Sequence, residues 1–326
     1  MDAALDYFAD STYTYSSFPN DGTKYENVSE EISSRNTTDF GREKSIHNVV
    51  IGISILVICI SGAVGNGIVI WLLGFRMKRN PFSIYILNLA IADLGVLLTV
   101  TFVLLNLWIV FPYDSPITFL VFLFLFLSMY STSQFFLTAI SIDRCVAVFF
   151  PLWHRCHQPP HLSTIVCALI WVLAFLLTAI TYTLIYLNLN ETMTGDYYQF
   201  IANALLCLPV MLIATMSLFI KVCLKARQRQ KGKLVTMILL TLLFFLLFAF
   251  PFNVTFLLYI SSYLPLDVLW GTMLLPCLNS SVNPAIYILV GRRWKSRQRE
   301  SMKMILQKVF NEEEGFTEVT PAETQL

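Results

Sequence analysis

Seven long apolar segments, separated by short polar ones, fill the chain between residues 48 and 290. Each exceeds the roughly 20 residues that a helix needs to cross a bilayer. The segments cover 48–75, 82–110, 117–150, 162–187, 198–224, 233–261 and 267–290. Lipid offers backbone groups no hydrogen-bond partner, so spanning segments of this kind form helices. The pattern predicts an all-α membrane protein with a seven-transmembrane helix bundle over residues 47–290.

Polar segments lie on both sides of the predicted bundle. Residues 1–46 hold nine acidic and four basic residues, a composition typical of a disordered tail. Residues 291–310 have the spacing of an amphipathic helix that lies on membrane lipid, with an apolar stripe against a basic face. The stripe consists of Trp294, Met302, Ile305, Leu306 and Val309. Residues 311–326 are predicted to form a cytoplasmic tail.

Basic residues are distributed along the chain in a way that predicts its orientation. Of 22 Lys and Arg residues, four lie in the first 44 positions, and the other eighteen fall in segments assigned to one side. Cytoplasmic loops carry such an excess, so the N-terminus is predicted outside the cell and the C-terminus inside. With 56% apolar residues and a mean hydropathy of +0.66, the composition excludes a soluble globular protein. We expect a multi-pass membrane protein without a nucleic-acid partner.

Three glycosylation motifs agree with this orientation. Asn27 and Asn36 lie in the N-terminal tail, and Asn190 lies in the loop after the fourth apolar segment, which is also predicted to be outside. Two further motifs, at Asn253 and Asn279, fall within apolar segments. These two are expected to remain unmodified.

A charged pair, Asp143-Arg144, lies near the end of the third apolar segment, within the sequence LTAISIDRCVAVFFP of Leu137–Pro151. A charge at the edge of hydrocarbon is costly unless it is paired or faces water, so such residues are most often functional. The simpler alternative is an arginine that extends to the membrane surface beside an acidic neighbour. We interpret the pair as a candidate switch.

Asp93 is the other carboxylate in the interior of the apolar segments, since Asp267 stands at the very start of the seventh. An unpaired charge at this depth is unfavourable, so polar side chains are expected to compensate it. The candidates are Asn66, Ser133, Asn279 and Asn283, of which the last two are one helical turn apart. The alternative is that these amides only join neighbouring helices through hydrogen bonds.

With these residues, the sequence resembles those of the rhodopsin-like G-protein-coupled receptors. The resemblance covers about residues 48–310. The matching features are Asn66, Asp93, the Asp143-Arg144 pair and the run Asn283-Pro284-Ala285-Ile286-Tyr287. Cys145 and the loop sequence WHRCHQPPH that follows are similar to the Mas-related subfamily.

The resemblance implies two sites in the bundle. One is a G-protein switch formed by Asp143, Arg144, Asn283, Pro284 and Tyr287. The other is an allosteric sodium ion at Asp93, in a polar network with Asn66, Ser133, Asn279 and Asn283. No other metal and no cofactor are expected.

Several positions depart from the pattern of this family, and two of them concern the outer part of the bundle and the response to ligand. Phe119 stands where relatives carry the cysteine of an outer disulfide, so the outer surface is expected to lack that bond. Ala249 stands where many relatives carry a tryptophan that senses ligand. Phe250, Phe252 or Tyr130 is expected to take over that role.

The extracellular mouth is expected to attract cations, because its loops hold Asp114, Glu191, Asp196 and Asp267 and no basic residue. Acidic loops are alternatively plain solvated surface. Retinal is disfavoured because the seventh segment has no lysine, and an amine is disfavoured because the outer half of the third segment has no carboxylate. The candidate pocket residues, which are alternatively packing residues, are Phe126, Tyr130, Asp196, Asn253, Phe256, Tyr259 and Trp270.

The resemblance implies a receptor that binds an extracellular ligand, such as a cationic peptide or small molecule, and activates a heterotrimeric G protein, with arrestin as a further partner. The alternatives are a ligand-independent modulator of other receptors and a transporter or channel, although the chain shows no repeated halves. No catalytic motif occurs in the apolar segments, so an enzyme is not expected. At the C-terminus, Thr324 and Leu326 have the spacing that PDZ-domain scaffolds bind.

Overall fold

The structure, a computed structural model, describes residues 26–77, 80–109, 116–150, 161–186, 194–224, 243–261 and 271–291, and a few isolated residues between these ranges. For residues 26–47 it describes the backbone alone. The chain divides into two compact units, Met1–Val49 and Val50–Leu326. All the side chains discussed below belong to the second unit.

The regular elements in the described ranges are all helices. The α-helices are α1 (Glu26–Trp71), α2 (Pro81–Ile109), α3 (Pro116–Phe149), α4 (Leu162–Tyr186), α5 (Thr194–Leu224), α6 (Phe250–Ile260) and α7 (Leu274–Gly291). Two short π-helical segments continue this architecture: Leu72–Arg76 follows α1, and Phe245–Ala249 leads directly into α6. The all-α prediction is confirmed for the described part of the chain.

Among the residues that the structure describes, five helical stretches are long and apolar enough to cross a membrane. They are Asn48–Arg76, Pro81–Asn106, Leu120–Phe149, Leu162–Thr183 and Gln199–Leu218, and Phe245–Tyr259 forms a shorter apolar helix. The bounds of α2, α3 and α4 agree with the apolar segments to within one residue. Helix α7 begins at Leu274 rather than at residue 267, after a turn at Met273. Gly271 and Thr272, just before that turn, are also helical, so the turn interrupts the predicted segment and does not mark the start of its helical backbone.

The first helix differs from the sequence prediction at its start. Its apolar part begins at Asn48 as predicted, but the helical backbone begins at Glu26, inside the segment expected to be a disordered tail. Residues 26–47 contain no proline, and once a helix is nucleated each further residue adds one backbone hydrogen bond. The polar composition of this segment therefore did not show where its helical backbone begins.

Several predictions concern residues that the structure does not describe in full. Asn27 and Asn36 lie on the helical backbone of α1, without described side chains. Asn190, the segment 291–310 and the tail 311–326 with Thr324 and Leu326 lie outside the described residues. Asn253 and Asn279, expected to remain unmodified, are both buried.

Helix α3 lies at the centre of the bundle and packs against α2, α4 and α5. In its most apolar window 61% is buried, against 28% to 29% for the corresponding windows of α1, α4 and α5. Its buried hydroxyl groups donate to carbonyl oxygens one turn earlier, as Thr132 does to Ser128 at 2.7 Å and Ser141 to Leu137 at 2.7 Å. These hydroxyl groups are thus paired within the helix, whereas the Gln134 Nε2 atom on the same helix is buried without a hydrogen-bond partner among the described residues.

Two hydrophobic clusters fill the bundle, one towards each end of α3. The cluster at the end that carries Arg144, here called the Arg144 end, includes Phe82, Phe136, Phe245 and Tyr287. The cluster at the opposite end, here called the Phe126 end, includes Phe126, Tyr130, Phe252 and Phe256. Between the two clusters lie the polar groups around Asp93.

Helix α1 makes its tightest approach to neighbouring helices at Gly62. A Cβ atom at Gly62 would lie 2.7 Å from Ser281 Cβ and 2.8 Å from Leu97 Cδ1, closer than such atoms can pack. Gly67 lies little more than one turn further along the same helix, and a Cβ atom there would meet nothing within 4 Å. The first position therefore depends on the absence of a side chain, and the second does not.

We predict that Gly62→Ala lowers the free energy of unfolding by about 1 to 3 kcal/mol, because α1 must move away from α2 and α7. Gly67→Ala is the matched control and is expected to be neutral or slightly stabilising, since alanine favours helix. The measurement is the thermal unfolding midpoint of each purified variant in lipid nanodiscs. Equal midpoints for the two variants would refute the proposed close approach.

Candidate functional site

The Asp93 side chain lies in the interior of the bundle and is fully buried. Its Oδ1 atom accepts a hydrogen bond from Ser133 Oγ of α3 at 2.7 Å, and its Oδ2 atom accepts one from Asn283 Nδ2 of α7 at 2.7 Å. The hydroxyl group of Ser280 also faces this carboxylate. The three helices α2, α3 and α7 are thereby joined at one point.

Asn66 stabilises the junction of helices around Asp93 without touching the carboxylate itself. Its Nδ2 atom donates to Gly62 O and to Ser280 O, each at 3.0 Å, so it joins α1 to the backbone of α7 beside the Asp93 site. Asn279 is buried one turn before Asn283 on α7. Of the residues predicted around Asp93, Ser133 and Asn283 bind the carboxylate directly. Asn66 instead binds backbone oxygens of α1 and α7.

The chemistry of the Asp93 site fits a small hard cation. Its partners in the described part of the chain are hydroxyl and amide groups, so none of them carries a positive charge. A buried carboxylate without such a charge is strongly disfavoured unless it takes up a proton or a cation. Carboxylate and hydroxyl oxygens are ligands that hard cations prefer. Asp93 and Ser133 would hold such an ion from two different helices.

The Asp143-Arg144 pair is buried near the C-terminal end of α3. Arg144 donates to Asp143 Oδ2 from Nε at 3.0 Å and from Nη2 at 2.5 Å. The guanidinium carbon of Arg144 also lies 3.9 Å from the centroid of the Phe82 ring on α2. Only 3% of Arg144 and 9% of Asp143 is exposed, so the arginine does not extend to the surface as the simpler alternative required.

Helix α5 contacts α3 next to this pair. The thiol group of Cys145 donates to Ala214 O at 3.5 Å, and Lys221 Nζ donates to Val148 O. The same ammonium group lies 4.3 Å from the centroid of the Phe149 ring. These contacts join α3 to α5 at the residues that directly follow the charged pair.

The other residues of the predicted switch, Pro284 and Tyr287, follow Asn283 on α7. Tyr287 is buried in the hydrophobic cluster of the Arg144 end, one turn from Asn283. Pro284 lies inside the helix, where it removes a backbone hydrogen bond and permits a bend. Helix α7 thus connects the Asp93 carboxylate to the cluster that surrounds Arg144.

At the Phe126 end, aromatic rings from α3, α5 and α6 pack together. Tyr130 lies 5.8 Å from Phe126 and 5.3 Å from Phe252 between ring centroids, and Phe200 stacks on Phe256 at 4.0 Å. The Tyr130 hydroxyl group donates to Ala249 O at 3.2 Å and to Asn253 Oδ1 at 3.3 Å. Of the three candidates for the missing tryptophan, Tyr130 and Phe252 are fully buried in contact with each other, whereas Phe250 is half-buried.

A cavity of about 70 Å³ opens beside this aromatic cluster, between α1, α2, α3 and the turn at Met273. The hydroxyl group of Thr99, the one polar side chain in its lining, donates to Gly95 O at 2.6 Å. The other lining residues are Ile55, Val100, Val103, Leu104, Phe122, Leu123, Phe126 and Met273. This lining suits an apolar group and offers no partner for a charge.

The predicted ligand-pocket residues are only partly brought together. Phe126 lines the cavity, while Tyr130, Asn253 and Phe256 lie in the aromatic cluster and Tyr259 packs at its edge, 6.3 Å from Phe256. Asp196 lies in α5 without a described side chain, and Trp270 lies outside the described residues.

Several buried amides were not foreseen from the sequence. Gln199 Nε2 donates to Ser131 Oγ at 3.0 Å and to Thr178 Oγ1 at 2.8 Å, and Asn203 Nδ2 donates to the same Ser131 Oγ at 2.8 Å. Gln134 Oε1 accepts from Asn253 Nδ2 at 3.3 Å. Gln199 and Asn203 are four residues apart, the same spacing as Asn279 and Asn283, so that spacing was a usable signal.

We predict that Ser133→Ala lowers the free energy of unfolding by roughly 1.5 to 3 kcal/mol, because a buried carboxylate loses a hydrogen-bond donor. Ser128→Ala is the matched control, since Ser128 is equally buried on α3 and its hydroxyl group donates within the helix, to Phe124 O at 2.8 Å. Thermal unfolding in nanodiscs measures both variants. A Ser133 variant as stable as the Ser128 variant would contradict the bond to Asp93.

Comparison with known proteins tests the resemblance of the sequence to a receptor family. Residues 65–287 match the family described as 7 transmembrane receptor (rhodopsin family). The chain is 35% identical over 277 residues to the proto-oncogene Mas of Rattus norvegicus, covering 82% of this chain and 84% of that protein. It is 38% identical over 287 residues to the Mas-related G-protein coupled receptor member H of Rattus norvegicus, covering 85% and 88%.

A human relative gives the same result. The Mas-related G-protein coupled receptor member D of Homo sapiens is 37% identical over 290 residues, which cover 84% of this chain and 90% of that receptor. The family match spans the helices that carry Asn66, Asp93, Arg144 and Asn283. The chain therefore belongs to the rhodopsin family of seven-transmembrane G-protein-coupled receptors, and within it to the Mas-related receptors.

Proposed function

We propose that this multi-pass plasma-membrane receptor binds an extracellular ligand and activates a heterotrimeric G protein through Arg144. The observation that carries the proposal is the buried Asp143-Arg144 ion pair at the end of α3. A buried pair of this kind is weak support for stability, because removing both charges from water costs about as much as their attraction returns. A role of the Asp143-Arg144 pair in switching explains its presence better than a contribution to stability does. Family membership favours this reading over a transporter, a channel or an enzyme.

In the proposed mechanism Asp143 holds Arg144 against the bundle in the resting receptor. The sequence has no acidic residue from 197 to 266, so the sixth span cannot supply a second carboxylate for this arginine. Activation separates the pair and turns the guanidinium group towards the G protein. Asn283, Pro284 and Tyr287 connect this event to the Asp93 site, because α7 contacts the carboxylate at one end and the Arg144 cluster at the other.

The proposed orientation has the N-terminus outside the cell and the C-terminus in the cytoplasm. Its support is the distribution of basic residues along the chain and the glycosylation motifs at Asn27, Asn36 and Asn190. In this orientation residues 291–310 lie on lipid of the inner leaflet. Arrestin and a PDZ-domain scaffold that captures Thr324 and Leu326 are proposed cytoplasmic partners.

The proposed ligand combines a positive charge with an apolar group. Asp114, Glu191 and Asp267, together with Asp196 at the start of α5, would attract the charge at the mouth of the bundle. The cavity at the Phe126 end accepts only the apolar group, since its lining carries no charged side chain. A cationic peptide with an aliphatic or aromatic side chain meets both conditions.

We predict that Asp143→Asn raises agonist-free signalling and that Arg144→Ala abolishes signalling, because the first frees the arginine and the second removes it. The measurement is second-messenger production in transfected cells at equal surface expression. Arg76→Ala is the control, since Arg76 is an exposed arginine at the same end of the bundle and is expected to leave signalling unchanged. Wild-type signalling by the Arg144 variant would show that this assignment is wrong.

A second prediction concerns sodium at Asp93. Asp93→Asn removes the negative charge that would hold the ion while nearly preserving the shape of the side chain. Agonist affinity of the wild-type receptor is expected to fall as sodium replaces choline, and affinity of the variant is expected not to change. Equal sodium responses in both proteins would exclude this ion from the mechanism.

A further inference from the structure

Phe82 lies at the start of α2 and is fully buried, with its ring against the guanidinium group of Arg144. The guanidinium carbon is 3.9 Å from the ring centroid, well inside the roughly 6 Å at which a cation and an aromatic face attract each other. We propose that Phe82 is a positioning residue of the switch, a second restraint that holds Arg144 in the resting receptor together with Asp143. This proposal rests on the proposed function.

The position of the ring is set by the start of α2. Asn80 and Ser83 bond each other reciprocally: Ser83 N donates to Asn80 Oδ1 at 2.7 Å, and Asn80 N donates to Ser83 Oγ at 2.8 Å. Pro81 occupies the first helical position, where its fixed backbone angle suits a helix start. Reciprocal bonds of this kind fix the first turn of a helix. The backbone of Phe82 is therefore fixed by the bonded residues before and after it, Asn80 and Ser83.

Asp143 and Phe82 contact different parts of the Arg144 guanidinium group. Both hydrogen bonds from Arg144 to Asp143 reach one oxygen, Oδ2, from the edge of the guanidinium plane. The face of that plane is shielded from water and gains from the negative face of an aromatic ring. A leucine at position 82 would fill the space without supplying this attraction.

The physical consequence concerns the balance between resting and active receptor. A restraint made only in the resting state lowers the active population by its own interaction free energy. Removing a desolvated cation–ring contact is expected to raise the ratio of active to resting receptor about two- to thirtyfold. Because Phe82 and Asp143 hold the arginine by different contacts, the effect is expected to persist in an Asp143→Asn background.

The experiment replaces Phe82 by mono-, di- and trifluorinated phenylalanine in the full-length receptor and measures agonist-free signalling at equal surface expression. Each added fluorine weakens the negative face of the ring with little change in shape, so signalling is expected to rise stepwise, and Phe82→Leu is expected to raise it further. The same series at Phe136 is the control, since that ring is equally buried and packs against Trp171 at 6.0 Å. A flat series at Phe82, in cells where Asp143→Asn does raise signalling, would overturn the proposal alone.

A second measurement keeps the proposal testable if the proposed function fails. If Asp143→Asn and Arg144→Ala both signal like wild type, the proposed G-protein switch is wrong. Fluorine NMR of the receptor with monofluorinated phenylalanine, in nanodiscs, then tests the contact between Phe82 and Arg144 without any signalling readout. Arg144→Ala is expected to move the resonance of the ring at position 82 and to leave that at position 136 in place. An unmoved resonance at position 82 would overturn the contact between Phe82 and Arg144.

Discussion

The hydrogen bonds to the Asp93 carboxylate are the interaction on which the bundle depends. Inside a membrane a buried charge finds no water, so every lone pair has to be satisfied by the protein or by an ion that it binds. Ser133 and Asn283 satisfy it from α3 and α7, and Asn66 fixes the backbone of α7 beside it. Four helices thus meet around one side chain, and a shift of any of them changes the surroundings of the same charge.

Helix α3 carries this polar site between two hydrophobic clusters. Towards one end Tyr130 bonds the carbonyl oxygen of Ala249, the last residue of the π-helical segment that leads into α6. Towards the other end Arg144 bonds Asp143 and lies over Phe82. A π-helical segment followed by Pro251 is a place where a helix bends readily. A ligand that moves Tyr130 would therefore act on α6 directly, without the tryptophan that many relatives carry.

Much of the architecture could be predicted from the sequence because the membrane imposes it. Apolar length determined the bounds of α2, α3 and α4, and the cost of a buried carboxylate pointed to Ser133 and Asn283 as its partners. Spacing within each helix could not show which faces meet, so the bond from Asn66 to the backbone at Ser280 and the position of Phe82 over Arg144 were not foreseen. Both depend on how neighbouring helices are rotated, which packing between helices decides. The early start of α1 was missed because composition does not report where a helix begins.

The central claim is that Arg144, once released from its restraints, acts on a G protein. Purified receptor with Asp143→Asn in lipid nanodiscs provides the most direct test, since it requires no ligand. Guanine-nucleotide exchange would be measured with purified heterotrimers of each Gα class. Exchange is expected to exceed the receptor-free rate for at least one class, and to return to that rate when Arg144→Ala is added to the same protein. Receptor-free rates for every class with the folded Asp143→Asn receptor would contradict the claim.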